Sequence, residues 1–179
     1  GAHEKGILPL LDSIITLTPS PLEMPEVIAE GKSGEESLTS SDSGPLAIYV
    51  WKTTADPFVG KLTYFRVYSG TLQADTRIWN QMKGIEERMA SLSIIRGKET
   101  FPQKIIHAGD IGIVAKLSVT STGDTLCDKG HPLILPKPQY PNALYRVAIS
   151  PKTQADAAKI SPTLARLCEE DMTLSWYNE

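Results

Sequence analysis

The residues in this chain whose types and spacing suit chemistry are basic and aromatic. Lys61, Arg66, Lys83, Arg96 and Lys98 lie in or beside turn sequences, where long cationic side chains reach phosphate oxygens and confer affinity without reading sequence. Tyr64 and Tyr68 flank Arg66 at a spacing of two, so on a strand all three share one face. Rings with a cation between them can stack the bases of a single strand. The same row also serves cross-strand packing, which the strength of aromatic pairs in sheets favours. For any one of the five cations, a solvated charged face is the simpler reading.

Other candidate sets fail on spacing. Gly31-Lys32-Ser33 ends like a phosphate-binding loop, but that loop needs GxxxxGK[ST] between a strand and a helix. Position 26 is Glu, and Glu35-Glu36 would repel phosphate. No NKxD-type guanine-reading motif accompanies it. His107 precedes a turn and His131 a proline, with no Cys or His at ligand spacing, which argues against zinc. Asp110 and Asp124 read as turn side chains that bond their own backbone. Cys127 and Cys168 are the only cysteines and read as small buried apolar residues. No serine sits in a GxSxG elbow. The sequence thus offers no catalytic residue, no metal ligand set and no cofactor site.

Charge is distributed unevenly over the 179 residues, whose net charge is −3. Residues 1–44 carry two basic against eight acidic residues, residues 45–136 carry eleven against eight, and residues 137–179 carry five of each. The middle segment is mildly basic and its leader acidic, a weak pointer to an anionic partner. No apolar run reaches membrane-spanning length and the N-terminus lacks a signal-peptide layout, so a cytoplasmic protein without a membrane partner is expected.

The elements that position the cations are predominantly strands. Ile7, Leu10, Leu11, Ile14 and Ile15 recur at helical spacing, and Pro19-Ser20-Pro21 stops that helix. Glu23–Gly44, rich in Glu, Ser and Gly, predicts a flexible linker with at best a short extended piece at Val27-Ile28. Strands are predicted at Leu46–Thr53, Leu62–Tyr68, Thr76–Gln81, Glu86–Ile95, Ile111–Leu117 and Leu133–Leu135. Asp56-Pro57 with Gly60, and Ser69-Gly70, bound the second of these. In it Phe65 and Val67 face a core, opposite Tyr64, Arg66 and Tyr68. Arg96-Gly97-Lys98-Glu99 forms a polar tip. Beyond the prolines at 136, 138 and 141, Leu144–Ile149 predicts a strand, Pro162–Glu170 a helix after a turn at Gln154–Lys159, and Leu174–Tyr177 the start of another strand.

These landmarks carry a resemblance. DPFVGKLTYFRVYSGTL (Asp56–Leu72), AGDIG (Ala108–Gly112), TGDTL (Thr122–Leu126) and His131-Pro132 resemble the β-barrel second domain of translation elongation factor G, the ribosomal translocase. KGILPLLDSIITLTPSP (Lys5–Pro21) resembles the segment that closes that family's GTP-binding domain. YRVAISPKTQADAAKISPTLARLCEEDMTL (Tyr145–Leu174) resembles the opening of its third domain, a ferredoxin-like βαββαβ fold. Met172 replaces a proline usual there, and Glu23–Gly44 is poorly matched, as in a divergent member.

The resemblance implies a mainly β chain: a translation-factor-type barrel flanked by an N-terminal helix and a partial ferredoxin-like α+β segment. Residues 1–22 would end an absent GTP-binding domain, 23–44 form an acidic linker, 45–136 the domain II barrel, and 137–179 a truncated β-α-β start of domain III. The implied role is ribosome docking and relay without catalysis, with small-subunit ribosomal RNA and the absent GTP-binding domain as partners. GTP and Mg²⁺ would belong to that absent domain. A half-domain cannot close its own sheet, so this tail should be partly disordered, or should bury its helix face against the barrel, the N-terminal helix or a second copy, and the exposed helices leave non-physiological self-association open. The alternative is a stand-alone barrel that binds single-stranded RNA or a protein without any GTPase. Tight stoichiometric binding to free RNA distinguishes that alternative.

Overall fold

The computed structural model describes residues 5–56 and 59–178. Pro57 and Phe58, from the expected Asp56-Pro57 turn, lie outside the described residues, as do residues 1–4 and 179. Helix α1 (Ile7–Leu17) forms where the apolar spacing predicts it. The hairpin β1 (Val27–Gly31) and β2 (Gly34–Leu38) follows, then the long strands β3 (Ala47–Asp56) and β4 (Gly60–Ser69). Next come β5 (Leu72–Gln73), β6 (Thr76–Asn80), β7 (Ile85–Met89), β8 (Leu92–Arg96), β9 (Glu99–Gln103) and β10 (Ile105–Ile106). The chain ends with β11 (Ile111–Ala115), β12 (Thr125–Cys127), β13 (Leu133–Ile134) and helix α2 (Gln154–Glu170).

Eight antiparallel strands form a curled sheet in the order β7-β6-β12-β3-β4-β11-β8-β9, with β5 and β10 paired separately. The inner face of this half-barrel is the main core. Ile48 and Val50 of β3, Phe65 and Val67 of β4, and Leu72, Met89, Leu92, Ile106, Val114 and Leu126 are fully buried there. Burying each large side chain contributes roughly 1.5–3 kcal/mol. The predicted alternation in β4 holds, since Thr63, Phe65, Val67 and Ser69 are buried while Tyr64, Arg66 and Tyr68 are half-exposed. On β3 the alternation changes phase because the register slips between Val50 and Lys52, which leaves Trp51 without a partner on β4. Even-numbered residues point inward before that bulge and Thr53 does after it.

Five expectations are corrected, the last two being strands beside α2. First, Glu23–Gly44 is not a flexible linker, for its central part is the β1–β2 hairpin, and β1 also pairs with β13. The hairpin lies against the outer face of the sheet, where Ala29 and Leu38 bury a second core with Ala47, Tyr49, Cys127, Leu133 and Leu135. Two well-placed apolar residues suffice here because the opposing surface is already built. Second, Glu86–Ile95 is two strands. β7 pairs with β6 while β8 pairs with β11, so the chain crosses the sheet at Ala90-Ser91.

Third, α2 begins at Gln154 and passes through Pro162, instead of starting there. The Thr153 side chain accepts from the Asp156 N–H and caps the helix, and QADAAK is built of residues that tolerate helix well. Neither Leu144–Ile149 nor Leu174–Tyr177 is a strand, because a strand needs a partner and the described residues supply none there. The expected β-α-β order is therefore a helix between two unpaired segments, with Leu144 98% exposed. The apolar face of α1 is likewise uncovered, since none of its residues is buried.

Candidate nucleic-acid interface

The five predicted cations do not form one patch. Lys83 lies in the turn between β6 and β7, at one end of the strand order, while Arg96 and Lys98 belong to the β8–β9 hairpin at the other. Arg96 is held over the ring of Phe101, 5.1 Å from its centroid, and both Arg96 and Lys98 are exposed. Arg66, in the middle of β4, lies 5.2 Å from the Tyr68 centroid with its Nε buried.

Lys61 is committed elsewhere. It shares the inward parity of Thr63 and Phe65, at the mouth of the half-barrel, and its ammonium is ion-paired with Glu169. Two further bonds fix α2 at that mouth: the Thr53 hydroxyl donates to the Glu169 carbonyl at 3.1 Å, and the Ala55 N–H donates to Glu170 Oε1 at 2.9 Å. Thr53 also bonds the Thr122 hydroxyl at 2.9 Å. The helix of the C-terminal segment thus seats on the barrel through its last turn.

The aromatic row is packed. Tyr68 packs against the second core. Tyr64 meets Trp51 with ring centroids 5.5 Å apart and planes at 57°. Lys52 extends over Tyr64, 6.0 Å from its centroid. Trp51 and Lys52 are exposed: Trp51 faces outward with the odd-numbered residues, and the bulge that turns Lys52 to the same side exists only in the pairing register. The one signal available was Lys52, a cation where the even-numbered apolar alternation of Ile48 and Val50 calls for a third inward residue.

Gly31-Lys32-Ser33 is the turn of the β1–β2 hairpin, a strand-to-strand reversal with Glu35 and Glu36 on its return arm. Neither the strand-to-strand geometry nor the acidic charge fits a nucleotide phosphate. Among the described residues no group of three His, Cys, Asp or Glu side chains is disposed to hold a metal ion. His131 Nε2 instead sits 2.8 Å from Glu36 Oε2, and His107 Nδ1 sits 2.7 Å from Asp42 Oδ2. Both pairs pin the N-terminal segment to the barrel. No described helix is long and apolar enough to cross a membrane.

The landmark Ala108–Gly112 serves packing. The Ala108 N–H donates to Asp42 Oδ1 at 3.0 Å. Gly109 has φ +91°, and a Cβ there would lie 2.6 Å from the Pro21 side chain. At Gly112 a Cβ would lie 2.5 Å from the Phe65 ring. The landmark Thr122–Leu126 is equally structural. Asp124 accepts from the Ser121 N–H, as expected of a turn aspartate, and also from Asn80 Nδ2, each at 2.9 Å. The Glu87 carboxylate beside them takes the N–H groups of Ser118, Val119 and Thr120 at 2.7–2.9 Å. Burial raises its pKa, but these bonds and the Thr120 and Ser118 hydroxyls prevail, so it stays below the usual carboxylate value.

Comparison with known families gives two matches in tandem along the chain. Residues 45–129 match the family Elongation factor G domain 2, and residues 140–179 match Elongation Factor G, domain III. Together the matches take in more than two thirds of the chain. Among solved structures, a crystal structure of a protein from Thermus thermophilus superimposes with a TM-score of 0.71 at 27% identity. The alignment covers 97% of this chain and 24% of that one, so this chain spans about a quarter of that relative's length.

Proposed function

Because the chain belongs to the elongation factor G family, we propose that it is the ribosome-docking and relay portion of a translational GTPase that drives tRNA and mRNA movement during protein synthesis. The observation that carries the reading is the tandem match to domains II and III, which are non-catalytic domains of that family. In this proposal the barrel meets small-subunit ribosomal RNA in the cytoplasm. The contact of α2 with the mouth of the barrel passes movement onward into the third domain. GTP and Mg²⁺ belong to a GTP-binding domain outside residues 1–179, and α1 offers that domain its exposed apolar face.

The cations suited to RNA phosphates are Lys83, Arg96 and Lys98, which are exposed and make no ion pair among the described residues. Arg66 joins them less directly from the packed face, and Lys61 only when Glu169 releases it. The test is co-sedimentation of the chain with purified small ribosomal subunits at increasing salt. Binding that weakens with salt is expected, and reversal of Lys83, Arg96 and Lys98 to Glu should weaken it about tenfold or more at low salt. Equal binding by the reversed protein removes those residues from the interface. Absence of wild-type binding overturns the docking role.

A further inference from the structure

At the bulge in β3 a tryptophan stands where a soluble sheet would ordinarily place a polar residue. Trp51 has no partner across the β3–β4 ladder and is 40% exposed, while Val50 and Thr53 are buried. The bulge re-aims Lys52 to the outer face that Trp51 already occupies. The ring is held without being covered, since Tyr64 braces it at 5.5 Å. Beside the pair stands Lys52, exposed, with its ammonium toward the Tyr64 ring and no ion pair among the described residues. Further along the same outer face, Arg66 covers Tyr68, again with no ion pair among the described residues.

Some surface cations of the barrel are neutralised, while Lys83, Arg96 and Lys98, like Lys52, have no ion pair among the described residues. Arg77, Arg88 and Lys129 each meet a carboxylate. What sets the β3–β4 face apart is an exposed indole beside a cation that has no ion pair among the described residues. Apolar area on this face is interrupted for a protein partner, because exposed Lys52 and half-buried Arg66 lie among the indole and Ile111, which is 53% exposed opposite Arg66. A nucleobase with its neighbouring phosphate matches both features, since stacking needs one ring and the phosphate needs one cation.

We propose that Trp51, braced by Tyr64, is a stacking platform for an unpaired base of an RNA segment, and that Lys52 takes the adjacent phosphate. The site rests on the ribosome-docking reading for its RNA and names where on the barrel that RNA is gripped.

The experiment compares wild type, Trp51→Ala, Trp51→Phe and Lys52→Gln on two probes: purified small ribosomal subunits and unstructured poly(U) RNA. Trp51 is exposed, so circular dichroism spectra are expected to be unchanged, and Trp51→Phe retains a ring should alanine perturb the bulge. On subunits, Trp51→Ala should weaken binding about tenfold or more and Trp51→Phe should restore most of it. Lys52→Gln should weaken binding a few-fold and flatten its salt dependence. Subunit binding by Trp51→Ala equal to wild type overturns the platform and leaves docking intact. If wild type ignores subunits, docking fails, and poly(U) decides: ring-dependent binding keeps the platform as the site of a stand-alone RNA binder, and no binding discards it.

Discussion

The Lys61 ammonium is paired with the Glu169 carboxylate, which joins the mouth of the half-barrel to the last turn of α2. A cation that the turn sequence suggests for RNA is thereby engaged within the chain. The pair is partly exposed, with side chains 24% and 33% accessible, so its contribution to global stability is small, about 0.2–1 kcal/mol. Its importance is local, since Thr53 and Ala55 bond the same turn.

Lys61→Met is therefore expected to leave the thermal midpoint nearly unchanged while loosening α2. Hydrogen exchange should show faster exchange across the C-terminal half of α2 and none of the same change in β4. Unaltered protection of α2 would mean that the Thr53 and Ala55 bonds suffice without the ion pair.

Glu87 calls for the opposite expectation. Its carboxylate organises the loop 118–120 through three backbone N–H groups, and the residue is 9% exposed. Glu87→Gln keeps the shape but loses charge and one acceptor, and should cost about 1–3 kcal/mol in urea unfolding. The folded carboxyl titrates below its unfolded value, so its stabilisation is present above the unfolded pKa and is lost as pH falls through the lower folded one. Wild type should thus lose stability on acidification by an increment that the variant lacks. Parallel acid profiles of the two proteins would remove the assignment.

Gly112→Ala should be among the costlier single changes in the barrel. The new methyl would enter the space of Phe65, which is fully buried and has nowhere to move. Overpacking of this kind costs about 1–3 kcal/mol. A lowered thermal midpoint is expected, with recovery in the double variant Gly112→Ala, Phe65→Leu. Additive losses in the double variant would show that the two sites do not share that space.

Tyr49 gives a test at alkaline pH. It is buried, and burial first, then the neighbouring Tyr140 and Tyr68, pushes its pKa up to about 12. The neutral phenol is favoured in the fold, so that stability is intact below the unfolded pKa of about 10 and is lost as pH rises through the folded value. Tyr49→Phe should be within about 1 kcal/mol of wild type at neutral pH and should unfold less readily as pH climbs. Alkaline unfolding that is the same in both would contradict this.

Much of the fold is legible in the residues because its signals are local. The spacing of Ile7, Leu10, Leu11, Ile14 and Ile15 is enough for α1, and the alternation around Phe65 and Val67 for β4. What local signals miss is structure that depends on a distant surface. Val27–Leu38 looks like linker because Ala29 and Leu38 are buried only by Tyr49, Cys127, Leu133 and Leu135. The candidate site is less legible for the same reason. Lys61 reads as a free cation until Glu169 is placed beside it, and Lys52 reads as an inward strand residue until the register of β3 against β4 is known.

The pairing of β1 with β13 has a consequence for how the molecule assembles. Glu30 and Ile134 are opposite each other although more than a hundred positions separate them in the chain, and nearly the whole barrel lies between. Such a contact repays its loop-closure entropy only after the intervening strands are in place. The hairpin should therefore lock last, as a clasp over a finished barrel. A piece begun at residue 45 would fold its inner core yet leave Leu133 and Leu135 bare, prone to sticking to other copies.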